Sequence, residues 1–294
     1  MNRLLVGVAA STALLAGALD TGAQTVELGG QVRPRLEFRS PQLDPDPATV
    51  FTSMRTRLWL SAVLQEDVSA LVQIQDVRLW GEETSTIDAS ADALDFHQAW
   101  VELGNPAAGA RALRVGRQEL AYGEERLLGA LDWVQGARAF DGARLRTRHG
   151  DLALDGFAMR LREDEVYPSD ASFLGLYGTL PMAGLLDLYA LYNTEGDDVT
   201  DQYTLGGRWV GVPGPLSWRI EAARQVGVRQ GLDVAAYLLA VRLGFSLGAV
   251  GGAELWYDRL SGDDDPLDDE VRVFDTLFAT NHKFYGYMDL FTNI

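Results

Sequence analysis

The chain has 294 residues, no cysteine and a formal net charge of −17, and its positive charge is nearly all arginine, Lys283 being the only lysine. The missing cysteines exclude a disulfide framework, a thiolate metal site and a Cys nucleophile. The acidic balance excludes a nucleic-acid binder, which has to neutralise phosphates with a basic surface.

Residues 1–23 read as a secretory signal peptide. Arg3 supplies the positive start, Leu4 to Leu19 an apolar run, and Thr21-Gly22-Ala23 a small-residue cleavage site before Gln24. Beyond it no stretch approaches the roughly 18 to 20 apolar residues of a spanning helix. The longest, Val234 to Val241, is stopped by Arg242.

From residue 24 onward the chain reads as short alternating segments separated by Gly, Asp, Pro and Asn clusters, the pattern of an all-β protein. In 52–63, Met54, Thr56, Leu58, Leu60 and Ala62 share one face, while Ser53, Arg55, Arg57 and Ser61 share the other. In 142–148, Ala143, Leu145 and Thr147 oppose Arg144, Arg146 and Arg148; in 216–225, Leu216, Trp218, Ile220 and Ala222 oppose Ser217, Arg219, Glu221 and Gln225. About twelve strands are expected, near 52–63, 69–80, 94–103, 111–118, 139–148, 151–160, 172–180, 184–193, 202–210, 215–226, 233–244 and 248–258.

Alternation fits a soluble sandwich as well as an outer-membrane barrel, the difference being whether the apolar face meets a second sheet or lipid. Three features favour the antiparallel transmembrane β-barrel. Segments of about ten residues match a tilted strand crossing a bilayer. Trp59, Trp80, Trp100, Trp133, Trp209, Trp218 and Trp256 recur near segment ends, as an interfacial girdle requires. Acidic, Pro-rich runs such as Asp44-Pro45-Asp46-Pro47 and Ser261 to Glu270 read as rim loops, the latter a candidate plug.

Motifs that suggest catalysis or metal binding are weak. Gly244-Phe245-Ser246-Leu247-Gly248 has the spacing of a nucleophile elbow, but a strand-like stretch follows where a helix is needed. His97, His149 and His282 are scattered and form no zinc pair. Asp263-Asp264-Asp265 and Asp268-Asp269-Glu270 carry enough oxygens for calcium but lack the turning Gly, so a solvated loop is the simpler reading.

Two blocks carry a resemblance. The first is Gly116-Arg117-Gln118-Glu119-Leu120-Ala121-Tyr122-Gly123-Glu124-Glu125-Arg126-Leu127-Leu128-Gly129, with Asp132-Trp133 and then Arg138-Ala139-Phe140-Asp141-Gly142-Ala143-Arg144-Leu145. The second runs from Leu277 through Thr280-Asn281-His282-Lys283-Phe284-Tyr285-Gly286 to Asp289. Together they resemble the alginate export porin family. The resemblance implies a barrel larger than the twelve strands counted, with further strands after the second block, and so a chain incomplete at its C-terminus. It also implies an arginine-lined lumen that passes a polyuronate.

Arginine presents a planar fork that pairs bidentately with carboxylates and stays charged. Parity puts Arg55, Arg57, Arg144, Arg146, Arg208 and Arg219 on lumen faces, and the first block adds Arg117, Arg126 and Arg138. Arg117 shares parity with Leu113 and Val115, which calls for a bulge or a reversed facing. Any one of these arginines serves equally well as a wall residue paired with a carboxylate; the set is what points to a path. The expectation is therefore a passive channel without catalytic residues, cofactor or metal. Its partners are outer-membrane lipid, an anionic polysaccharide or small anionic solute, and periplasmic export proteins. The alternatives are an uptake porin for small anions and, from another class, a secreted carbohydrate-binding β protein or polysaccharide lyase.

Overall fold

The computed structural model describes residues 15–18, 25–39, 49–81, 94–105, 111–163, 170–196, 199–265 and 267–286. The Asp44–Pro47 loop, most of the expected signal segment and the end of the second block, 287–289, lie outside the described residues. Described strands are antiparallel apart from one two-residue edge, and no described helix is long and apolar enough to cross a membrane.

The chain divides into two compact units. The first comprises residues 1–102 together with 116–119 and 131–139. It holds β1 (Leu15–Ala18), β2 (Thr25–Arg39), β3 (Thr49–Gln65), β4 (Val68–Leu79) and β5 (Leu94–Leu103, its last residue excepted). Strands β1 to β4 form a meander in which chain neighbours pair. β6 (Ala112–Gln118) contributes residues to both units.

The second unit holds β7 (Phe140–His149), β8 (Leu152–Arg162), β9 (Ala171–Pro181), β10 (Leu185–Glu195), β11 (Thr200–Gly211), β12 (Leu216–Arg229), β13 (Leu232–Ser246) and β14 (Gly252–Leu260). They too pair strictly in chain order. A short β15 (Glu270–Val271) runs parallel to the start of β13, and one helical turn, α1, spans His282–Tyr285. Turn chemistry explains the tightest hairpin: Gln230 and Gly231 both take positive φ between β12 and β13, matching the twist of the flanking strands.

The expected strands are present and agree with these to within a few residues. β1 and β2 are additions: β1 lies inside the expected signal segment and pairs with β2, whose apolar face reads Leu28, Gly30, Val32, Pro34, Leu36, Phe38, and the Gly and Pro break the alternation that marks its neighbours. The aromatic girdle needs correction at three places, Trp133 lying outside any strand with its ring against Arg35. Trp59 lies on the polar face, where its ring covers Gly29, and Trp256 lies under the Arg242 guanidinium, 3.5 Å from ring centroid to Cζ. Trp209 and Trp218 do stand near strand ends, with ring centroids 4.8 Å apart.

Burial is inverted relative to a soluble protein. On β3, Arg55 is 0% and Arg57 7% exposed, whereas Leu58 is 52% and Leu60 44% exposed. In the second unit Gln202, Thr204 and Gln225 are at most 1% exposed, while Leu176, Leu188 and Leu205 each exceed half. The register makes this a property of whole faces. Leu58 sits between Gly30 and Ile74, and Leu60 between Leu28 and Val72, so apolar residues line up across β2, β3 and β4. Water leaves such a surface unsatisfied, and hydrocarbon does not.

Candidate functional site

What covers each polar face is the first block. In the first unit, residues 131–139 lie over β2 to β4. Asp132 Oδ1 is 2.9 Å from Arg55 Nη1 and 3.3 Å from Arg57 Nη1, and Asp132 Oδ2 is 3.7 Å from Arg33 Nη1. Arg33 donates through Nε to Gln135 Oε1 at 2.8 Å and through Nη1 to the Asp132 carbonyl at 2.7 Å. Arg35 stacks over the Trp133 ring at 4.7 Å and donates to the Trp133 carbonyl.

Amides hold the guanidinium planes in place. Gln31 Oε1 accepts from Arg55 Nη2 at 2.8 Å, and Gln75 Oε1 from Arg57 Nε at 2.6 Å. Gln135 donates to Ser53 Oγ at 2.9 Å, and Gln75 to the Gly136 carbonyl at 2.9 Å. His97 Nε2 lies 2.7 Å from Glu119 Oε1, which is itself 4.0 Å from Arg57. Arg33, Arg55 and Arg57 thus face Asp132, while Arg35 has Glu37 at 3.9 Å and Glu119 is the remaining carboxylate of the cluster. Arg57 Nη2 is buried without a hydrogen-bond partner, and the Asp132 side chain is 59% exposed.

The second unit carries a different cluster. Arg126 Nη1 meets Asp258 Oδ2 at 2.9 Å, and its Nε meets Glu221 Oε2 at 3.4 Å. Arg208 pairs with Asp187 at 3.0 Å, and Arg219 with Glu124 at 3.2 Å. All of these groups but Asp187 border a shallow open cleft with Arg242 and Trp256 on its wall. Here three arginines have four carboxylate partners. Arg144 is held by Asp155, which also accepts from the Tyr122 hydroxyl at 2.9 Å. Burial raises the Tyr122 pKa well above the usual phenol value, so the hydroxyl remains a donor.

The two blocks meet within this unit. Gly129 N donates to Phe278 O, and Phe278 N to Leu127 O, both at 2.9 Å. Thr280 and Lys283 both reach the Glu125 carboxylate, Lys283 Nζ at 3.1 Å. Phe140 and Phe173 pack edge-on to Phe278 at 5.1 and 4.9 Å, over a core that includes Leu128, Phe157, Tyr177 and Tyr189. Gln225, wholly buried, clamps Asp275 through both backbone groups, at 2.7 Å to the carbonyl and 2.8 Å from the amide. Glu125 and Leu277 adopt positive φ in these blocks, as do Leu131 and Ala137. Such conformations cost about 1 to 3 kcal/mol each and persist where surroundings dictate them.

Arg146 stands opposite Asp155 on the polar side of β7, its Nε inaccessible. Arg138 is half-buried in the covering segment before β7. Arg117 follows Gly116, whose φ is +123°, and keeps the parity of the exposed Leu113 and Val115. Arg33 and Arg35 were not anticipated, although Gln31, Arg33, Arg35 and Glu37 alternate in the sequence. Ser246 is followed by a three-residue turn and another strand, so the elbow lacks its helix. In the acidic run, Arg272 takes the central place, 2.8 Å from Asp268 and 3.6 Å from Asp263. Among the described residues no His, Asp or Glu cluster fits a metal ion.

A family model for alginate export matches residues 24–293. The chain belongs to the alginate export family. Among curated proteins none matches it. Membership makes the chain a polysaccharide-export channel of the outer membrane, its cargo an anionic polysaccharide, and the family is one of transport porins rather than enzymes. The apolar exposed faces and buried polar faces are the burial pattern that such a membrane position requires.

Proposed function

We propose that this alginate export protein is a passive channel whose lumen is the polar face of its strands, and that Arg33, Arg35, Arg55 and Arg57 form its anion-selecting path. The reading rests on one observation: Arg33, Arg55 and Arg57 all lie within 3.7 Å of the Asp132 carboxylate, which is itself more than half exposed, and Arg35 stands beside them against Trp133 and Glu37. A polyuronate brings one carboxylate per sugar. Each can take the place of Asp132 at an arginine fork and then be passed on, because a charge-assisted bond is strong while a neighbouring acid keeps any site from holding it. Residues 1–23 act as the leader that brings the chain to the periplasm, residues 24 onward contribute strands to an outer-membrane barrel, and periplasmic export proteins deliver the cargo. Residues 131–139 narrow the first unit's path.

The test is the reversal potential of the complete gene product in a planar bilayer under a salt gradient, with and without oligouronate. Anion selectivity with uronate-dependent block is the expected result. A cation-selective or unblocked pore would overturn the arginine path, and uptake of small anions without polymer block would favour the solute-porin alternative.

A further inference from the structure

The exposed apolar face of the second unit carries two arginines that the channel reading does not use. On β12 the exposed side runs Ile220, Ala222, Arg224, Val226, and Arg224 stands directly opposite Tyr237 of β13. Two residues along β13, Leu239 stands opposite Arg259 of β14. The Arg259 guanidinium lies over the Tyr237 ring at 5.8 Å and also contacts the Tyr257 phenol. Two fixed positive charges thus flank one tyrosine on a surface otherwise made of residues such as Leu205, Leu239, Leu243 and Leu255.

Neither arginine has a carboxylate partner among the described residues. Other arginines near the edge of this face do: Arg160 and Arg162 of β8 meet Asp170 at 3.0 Å and Glu195 at 2.8 Å. An arginine facing hydrocarbon at the bilayer midplane costs about 2 to 4 kcal/mol, and the cost falls toward zero at the interface. The pair therefore belongs at headgroup depth. Arg259 is the second-last residue of β14 and stands opposite Leu239, midway along β13, while Arg224 lies five residues before the end of β12; β12 and β14 both run toward the rim that bears the β8–β9 connection and the Ser261–Glu270 run. The opposite rim carries the short turns at 150–151, 182–184 and 212–215. In outer-membrane barrels the longer loops are extracellular, so this is the outer-leaflet side.

We propose that Arg224 and Arg259, astride Tyr237, dock the phosphate headgroup of an outer-leaflet glycolipid. Guanidinium forks match phosphate oxygens bidentately, and tyrosine is at home where apolar body and polar tip meet different media. The proposal rests on the exposed face being lipid-facing but not on the arginine path, and the measurements separate the two.

The complete gene product, refolded in neutral detergent, is offered bisphosphorylated lipid A, fully dephosphorylated lipid A or phosphatidylglycerol, and retained lipid is counted by native mass spectrometry. Phosphorylated lipid A should be retained, and the other two should not. R224Q/R259Q should lower its retention roughly tenfold, the loss expected for charge-assisted bonds to a phosphate. R224K/R259K should restore part of it. Conductance of R224Q/R259Q in a bilayer should equal that of the wild type, which shows that the variant is folded. Equal retention of phosphorylated and dephosphorylated lipid A by the wild type overturns the site without recourse to any variant. Equal retention of phosphatidylglycerol overturns the glycolipid assignment, and undiminished retention by the conducting variant overturns the two residues.

Discussion

Asp132 is the residue on which the first cluster turns. Its Oδ1 is the carboxylate nearest to both Arg55 and Arg57, and both guanidinium groups are almost fully buried. Removing one member of such a set leaves the others charged and uncompensated, at about 1 to 3 kcal/mol for a partly solvated case. D132N should therefore lower stability by about that amount in a urea titration of the detergent-refolded protein. It should also tighten oligouronate block severalfold, because an internal competitor for the arginines has gone. Block unchanged in D132N would mean that cargo carboxylates do not contend with Asp132. At this scale the sequence showed part of the site. Arg55 and Arg57 were legible because they alternate with apolar residues along an uninterrupted strand. Arg33 and Arg35 were not, because Gly30 and Pro34 occupy apolar-face positions of β2 and erase its period.

Strands and covering segments differ in how they are specified. Strands announce themselves by period two, and short turns such as Gln230-Gly231 fix their register, so β3 to β14 could be placed from the sequence to within a few residues. The covering segments have no period. Residue 125 meets residue 280 through long-range hydrogen bonds, and nothing local in either sequence requires that. Only the resemblance of the two blocks to a family gave them weight. Close packing beneath them yields a strand-level prediction. At Gly175 of β9 an added Cβ would lie 2.1 Å from the Phe157 ring, which sits in the buried core with Phe173 and Tyr177. G175A should cost about 1 to 3 kcal/mol in the same titration, whereas alanine at Gly136, where nothing lies within 4 Å, should cost little. A loop-level prediction concerns Arg272. The Glu270 backbone amide and the Arg272 guanidinium together hold the Asp268 pKa below its ordinary value. Order in this loop is then fully present above the ordinary aspartate pKa of about 3.9 and is lost only as pH falls through the depressed value. Protection of the Asp265, Leu267, Glu270 and Arg272 amides, relative to their intrinsic exchange rates, should persist down to roughly pH 4 and fall below it; protection lost already at pH 5 would contradict the clasp.

For the molecule as a channel, the balance of charge within each cluster matters more than the number of arginines. The first cluster sets Arg33, Arg35, Arg55 and Arg57 against Asp132, Glu37 and Glu119. The second sets Arg126, Arg208 and Arg219 against Asp258, Glu221, Asp187 and Glu124. Counting arginines in the sequence treats the two alike, because parity gives a facing but not a partner, and the partners lie up to 132 residues away. An excess of fixed positive charge selects anions, and a compensated cluster holds a wall. Replacing Arg33, Arg35, Arg55 and Arg57 together by glutamine should consequently carry the reversal potential from the anion side across zero and abolish uronate block. Replacing Arg208 and Arg219 should leave the sign of selectivity unchanged while lowering the thermal midpoint, since Asp187, only 4% exposed at its side chain, then loses its counter-charge. The two variants must be compared under one salt gradient, because screening at high ionic strength would mute both. If the second variant reversed selectivity and the first did not, the path for anions would have to be reassigned to the cleft beside Trp256.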